Sequence, residues 1–274
     1  MGATGLIDLA LTRGQGREAD VAVVIDALRA TSTVGQALAT GYRRVLCARD
    51  LDTALQLRAP GRVLAGEQRW VAPPGFDQGN SPAEAEALRG EELVLATTNG
   101  APATVEAASR APRVLLGSML NLDAVARELG RTAGATVQIV CAGIEGRFAL
   151  EDVYVAGRLS ALLSGPRTDA ALIAEGVARS YATAADAFAA SGGGTALAAV
   201  GMAADIALCA RESILDVVPV VVATWPGVAV VERAGLPDGE PEHGRRRRLR
   251  AIRGPRAARA QRPGPPDRES TITR

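Results

Sequence analysis

Short apolar runs of strand length recur along this chain: Val21–Ile25, Arg44–Cys47, Arg62–Ala65, Leu93–Ala96, Val114–Leu116, Val137–Val140, Val217–Val222 and Val228–Val231. Most are continuous rather than alternating, as in strands that are buried on both faces. The segments between the early runs have helical character: Thr31–Ala39, Leu51–Leu57, Pro82–Leu88, Ala101–Ala108 and Leu120–Leu129. Strand and helix in alternation favour a parallel sheet, because each parallel crossover needs a helix-length connection. The expected fold class is therefore α/β, a largely parallel sheet sandwiched by helices in three layers.

The pattern changes after Cys141. Residues 149–164 and 169–190 read as longer helices, and Gly192-Gly193-Gly194 breaks them from another helical stretch near 195–212. A helical excursion over about 149–212 is expected before the last strands return to the sheet. With 274 residues, 47% of them hydrophobic, the chain can build one large core, placed here in residues 1–232. Residues 233–274 are rich in Arg, Pro and Gly, include the run Arg245–Arg248, and have few apolar side chains to bury. They are expected to be a disordered tail, solvated rather than bound to nucleic acid. A net charge of +1 gives no global field toward nucleic acid or a membrane surface. No apolar run approaches the ~18–20 residues of a membrane span. Three widely spaced cysteines, Cys47, Cys141 and Cys209, point to a reducing cytoplasm rather than to a disulfide frame.

Two absences restrict the chemistry. All 31 basic residues are arginine, and the only histidine, His243, lies in the tail. A Ser-His-Asp triad, a histidine phosphatase, a histidine metal site and a Walker-type lysine are therefore not expected in the folded region. Catalysis would have to come from carboxylates, arginine, hydroxyls, amides, backbone N–H groups or a metal ion.

The candidates for that work cluster after strand ends, where open α/β sheets bind ligands. Asp26 ends the first run and leads through Arg29 to Thr31-Ser32-Thr33. Glu67 ends the third and enters the polar loop Pro74–Pro82, with Asp77, Asn80 and Ser81. Thr97-Thr98-Asn99-Gly100, Gly117-Ser118 with Asn121, and Cys141-Ala142-Gly143 before Glu151-Asp152 follow the next three. Hydroxyls and helix N-termini on such a rim suit phosphate or sulfonate. Each feature also has a plain structural reading. Ser, Thr and Asn before a helix are ordinary caps. Asp26 needs a partner, either a cation or Arg29. Glu67 and Asp77 are either acceptors that stabilise the loop or ligands of an oxygen-only Mg²⁺ site. Arg29, Arg69 and Arg147 either clamp an anion or make surface pairs. Cys141, with no histidine to activate it, reads as a core residue, and Asp205 as a local partner.

Taken together, these segments resemble the 2-phosphosulfolactate phosphatase family. The resemblance rests on Val24–Thr33, Gly66-Glu67 followed by Pro74–Pro82, Thr97–Gly100, Cys141–Gly143 with Phe148–Asp152, and the late Asp205 and Val217–Val220. It implies Mg²⁺-dependent hydrolysis of 2-phospho-3-sulfolactate, a small anionic monoester, to 3-sulfolactate and phosphate, a step toward coenzyme M. It implies Asp26, Glu67 and Asp77 as Mg²⁺ ligands, and Arg29, Ser32, Thr33, Thr98, Asn99 and Gly100 around the phosphate or sulfonate. Asn80 and Ser81 would orient the ligand, and Glu151 or Asp152 would act as general base. Water could attack directly, or through an aspartyl-phosphate on Asp26. A homodimer is consistent with a compact metabolic enzyme. The chain departs from the family pattern in one loop: Gln68 follows Glu67 where the family has arginine, with Arg69 next, and Trp70-Val71-Ala72 replaces a more Gly/Lys-like stretch. Two other functions therefore stay open, a phosphatase for another small phosphorylated carboxylic acid and a non-catalytic phosphate- or sulfonate-binding protein.

Overall fold

The computed structural model describes residues 3–87 and 90–235. The expected tail lies outside the described residues from position 236 onward. Its first residue, Arg233, is instead the last residue of a strand.

Nine strands form one sheet. Strands β1 (Ile7–Ala10), β2 (Val21–Ile25), β6 (Arg113–Gly117) and β7 (Val137–Cys141) lie parallel in the order β1-β7-β2-β6. Strands β3 (Arg44–Ala48), β4 (Arg62–Gly66) and β5 (Glu92–Ala96) form a second parallel group, β3-β5-β4. The antiparallel hairpin of β8 (Pro219–Trp225) and β9 (Val228–Arg233) joins the two groups. Every apolar run of the sequence contributes to a strand. The unforeseen one is β1, four residues long at the sheet edge. Helices α1 (Ala30–Ala39), α2 (Leu51–Gln56), α3 (Pro82–Ala87), α4 (Gly100–Ala107) and α5 (Leu122–Leu129) follow strands and complete a three-layer α/β/α arrangement. Strands β2, β5 and β7 are buried at every position, as their continuous apolar sequences require.

The two parallel groups are thinly joined. Strands β6 and β8 share a single ladder pair, Leu115 with Val220, and the β8–β9 register shifts between Val221 and Ala223. In a flat sheet β2 and β4, six strand spacings apart, would be separated by about 29 Å. Yet Asp26, after β2, and Glu67, after β4, line the same pocket. The sheet must therefore bend sharply at the hairpin, where a register irregularity permits it.

The excursion after β7 holds α6 (Leu150–Leu162), α7 (Asp169–Arg179), α8 (Ala184–Ala190), α9 (Gly192–Ala199) and α10 (Ala203–Cys209). The sequence suggests three helices here rather than five. The helix expected over 169–190 is cut at Thr183, which forms a reciprocal capping box with Asp186. The glycine triplet is not a break. It is the first turn of α9, capped by the Ser191 hydroxyl, which accepts from the Gly194 N–H at 2.9 Å. Among the described residues no helix is long and apolar enough to cross a membrane.

Candidate active site

A pocket of about 210 Å³ opens where strand ends from both parallel groups converge. Strand β2 delivers Asp26, nearly buried, whose Oδ1 accepts from the Ala30 N–H at 3.2 Å as α1 begins. Gly100 opens α4 beside it; a Cβ there would collide with Asp26 Oδ2 and come within 2.9 Å of Asp26 Cβ. Burial lifts the Asp26 carboxyl to a pKa of about 7. The charges of Glu67 and Glu151 push the same way, against the Ala30 N–H bond and Arg29.

Two more carboxylates come from the first turn of α6. Asp152 ties two loops together: Oδ1 accepts from the Ala27 N–H at 2.8 Å and Oδ2 from the Gly143 N–H at 3.0 Å. Burial, then the charges of Asp26 and Glu151, push its pKa well above the usual carboxylate range. Burial also raises Glu151, held back in part by its own N–H and by the Ser191 hydroxyl. Glu151 Oε2 is buried without a hydrogen-bond partner. The fourth carboxylate, Glu67, accepts hydrogen bonds through both oxygens and keeps one lone pair on Oε2. Its Oε1 accepts from the Thr98 N–H at 2.8 Å and hydroxyl at 2.5 Å, and its Oε2 from the Trp70 N–H at 3.1 Å.

Arg29 is 1% exposed. Its Nη1 donates to Asp205 Oδ2 at 2.6 Å and its Nη2 to the Trp70 carbonyl at 3.0 Å, while Nε is unpartnered. Asp205 Oδ1 in turn accepts from the Ser81 hydroxyl at 2.7 Å. Two tight turns form the rim. Residues 68–71 and 144–147 are each closed by a pair of backbone hydrogen bonds. Their central residues, Arg69 with Trp70 and Glu145 with Gly146, all have positive φ, the geometry of a two-residue hairpin turn.

The 2-phosphosulpholactate phosphatase family matches this chain over residues 9–224. The chain belongs to that family. A probable 2-phosphosulfolactate phosphatase of Deinococcus radiodurans is 39% identical over 211 residues, 74% of this chain and 88% of its own. One from Thermus thermophilus is 39% identical over 207 residues, 73% of this chain and 87% of its own. The 2-phosphosulfolactate phosphatase of Methanothermobacter thermautotrophicus is 34% identical over 214 residues, 78% of this chain and 91% of its own.

The family's motifs do not all reach the pocket in this member. Asp26, Arg29, Glu67, Asn80, Thr98, Asn99, Glu151 and Asp152 line it. Asp77, expected beside Asp26 and Glu67 as a Mg²⁺ ligand, does not. Its Oδ2 accepts from the Leu64 N–H at 2.8 Å and its Oδ1 pairs with Arg58 at 3.1 Å, so it stitches its loop to β4. Four residues expected on the substrate are also placed otherwise. The Ser32 hydroxyl donates to the Ala27 carbonyl at 2.9 Å, that of Thr33 to the Asn80 carbonyl at 3.3 Å, and that of Ser81 to Asp205. All three are buried and their protons are already used. Gly100 makes room for Asp26 instead of facing the pocket. The rim residues Ile144 and Glu145 were not singled out from the sequence, whereas Trp70 stood out only as a departure from the family pattern. Glu145-Gly146 carries a weak turn signal, whereas Arg69-Trp70 carries none.

A Mg²⁺ ion, implied by the family resemblance, fits this donor set in part. Among the described residues no three Asp, Glu, Cys or His side chains are gathered to hold a metal between them. Mg²⁺ does not need such a cage, because it keeps several waters and takes one or two carboxylates together with a substrate phosphate. Asp26 and Glu67 supply oxygen ligands of that kind. Burial is the main reason that the pKa values of Asp26, Glu151 and Asp152 are raised, and neighbouring carboxylates add to it at Asp26 and Asp152.

Proposed function

We propose that this protein is a Mg²⁺-dependent phosphatase that hydrolyses 2-phospho-3-sulfolactate to 3-sulfolactate and phosphate, acting in the cytoplasm as a step toward coenzyme M. The observation that carries this reading is the convergence of Asp26, Glu67, Glu151 and Asp152 with the polar Asn80, Thr98 and Asn99 in one pocket. The names of the relatives support the substrate. Asp26 and Glu67 would hold Mg²⁺, which when bound offsets carboxylate charge and stabilises the charge that develops on the phosphoryl oxygens.

The chain's own groups divide the remaining work. Both Asp152 oxygens are occupied by backbone N–H groups, whereas Glu151 Oε2 is unpartnered. Glu151 is therefore the better general base of the two. It takes a proton from the attacking water, the phosphorus–oxygen ester bond breaks, and the departing oxygen takes up a proton from solvent. Asn80, whose buried Oδ1 has no partner, and Asn99 orient the ligand. Arg69, at a turn tip on the pocket and without an ion pair among the described residues, is placed for the sulfonate or carboxylate.

The second reading, a phosphatase for another phosphorylated carboxylic acid, is favoured by one observation. Gln68, Arg69 and Trp70, where the chain departs from the family pattern, line the pocket wall. The test is phosphate release from 2-phosphosulfolactate and from a panel of small phosphorylated acids, with Mg²⁺ and with EDTA. Metal-dependent release that is fastest on 2-phosphosulfolactate is expected. Release from other acids alone reassigns the pocket, and none from folded protein overturns the enzyme reading.

A further inference from the structure

Three consecutive glycines make a poor start for a helix, since each gives up more backbone freedom than any other residue would. In the first turn of α9 the three have different surroundings. A Cβ on Gly192 would meet nothing within 4 Å. A Cβ on Gly194 would run into the Phe188 carbonyl, so that glycine serves the close approach of α8 and α9. The three atoms nearest to a Cβ on Gly193 all belong to the Glu151 carboxyl. That Cβ would lie inside van der Waals contact of Oε1, 3.0 Å from Cδ and 3.5 Å from Oε2. The nearest obstacle to a side chain at 193 is therefore a pocket group, whereas at 194 it is the backbone of a neighbouring helix.

We propose that Gly193 is a positioning residue, whose bare backbone seats the Glu151 carboxylate so that its unpartnered Oε2 is presented to the pocket. The role deepens the phosphatase reading and rests on it for its activity readout. Glu151 is 2% exposed. The Ser191 hydroxyl that caps α9 also acts on the same carboxyl. A methyl group at 193 would push the flexible end of Glu151 aside while leaving the fold intact.

The experiment compares Gly192→Ala, Gly193→Ala and Gly194→Ala in the full chain, by thermal unfolding and by kcat and KM for phosphate release. Gly193→Ala should be as stable as wild type or more so, because alanine is the better helix former. Its kcat should nevertheless fall at least about tenfold, as expected for a misplaced general base. Its KM should stay within about twofold of wild type. Gly192→Ala should change neither, and Gly194→Ala should lower the unfolding temperature. In a Glu151→Ala background, Gly193→Ala should cause no further loss of kcat, because the glycine acts only through Glu151. Unchanged kcat in Gly193→Ala, or an additive loss in the Glu151→Ala background, overturns the proposal. If the wild type itself releases no phosphate, the phosphatase reading fails separately. A crystal structure of Gly193→Ala then decides the positioning role: a displaced Glu151 carboxyl supports it, and an unmoved one ends it.

Discussion

Asp205 does more than a single acid in an alanine-rich helix suggests. It stands between the Ser81 hydroxyl and the Arg29 guanidinium, and Arg29 continues to the Trp70 carbonyl. This chain of hydrogen bonds ties α10, the start of α1, the 81 loop and the rim turn together. Among the described residues Asp205 is the one carboxylate in ion-pair contact with Arg29, and both side chains are nearly buried. Removing one member of such a pair leaves a charge uncompensated, so Asp205→Ala should cost about 3–5 kcal/mol in urea unfolding. Asp205→Asn keeps an acceptor for Ser81 and should cost less. A loss below about 1 kcal/mol for Asp205→Ala, the range of exposed pairs, would show that Arg29 finds other compensation. The sequence exposes Asp205 as a local partner but hides the partner, because Arg29 lies 176 positions away. The same limit explains Asp77 and Ser32. Motif spacing puts them near strand ends, but which backbone group lies closest decides whether a side chain faces the pocket or turns away from it. Asp26, Glu67 and Glu151 were legible because each sits at or just beyond an element boundary, where a buried carboxylate needs a reason.

At the scale of elements, continuous apolar runs were readable because burial on both faces excludes polar residues from a strand. Strand β1 escaped notice because Ile7-Asp8-Leu9-Ala10 is short and spends one position on Asp8, which accepts from Gln138 and Thr168. The helical excursion was legible in extent but not in its breaks, which depend on caps such as Thr183 and Ser191. The rim turn at 68–71 stood out in the sequence as a departure from the family pattern, but its backbone geometry was not legible. Arg69 and Trp70 adopt positive φ, which side chains of that size resist, so the conformation must be held from outside, in part by Arg29 on the Trp70 carbonyl. Helix pairing in the excursion makes a separate demand. A Cβ on Gly157 of α6 would strike the Ala174 carbonyl and come within 2.9 Å of the Glu175 nitrogen on α7. Both obstacles are backbone and cannot turn aside. Gly157→Ala should therefore destabilise by about 1–3 kcal/mol, the usual cost of overpacking, despite the better helix propensity of alanine. A raised urea midpoint in Gly157→Ala would mean that the two helices separate without cost.

On the scale of the whole molecule, the pocket and the Glu92 ion-pair cluster occupy opposite ends of the sheet. The pocket lies past the carboxyl ends of the strands. At the other end Glu92, on β5, is flanked in register by Arg44 of β3 and Arg62 of β4. Its Oε1 pairs with Arg44 at 2.6 Å and Arg43 at 2.5 Å, and its Oε2 with Arg62 at 2.8 Å. Burial alone would raise the Glu92 pKa, but Arg62, Arg44 and Arg43 together outweigh it and hold it below the ordinary value of 4.5. A carboxylate depressed in the folded state adds stability that is complete above 4.5 and is lost as pH falls through the folded value. Acid should therefore loosen the β3-β5-β4 group from the end remote from the pocket. Glu92→Gln should lower stability at neutral pH by about 1.5–3 kcal/mol, the range for hydrogen bonds to charged groups. In acid the gap between variant and wild type should close, because the wild-type carboxylate is then protonated as well. Some acid dependence should survive in the variant, since Glu175 is also held low, with the Arg167 and Ser160 hydrogen bonds outweighing its burial. Urea unfolding of both proteins across the acid range decides the point. A gap that stays constant from neutral pH into acid would show that Glu92 contributes by packing rather than by charge, and that the sheet owes its acid sensitivity to another group.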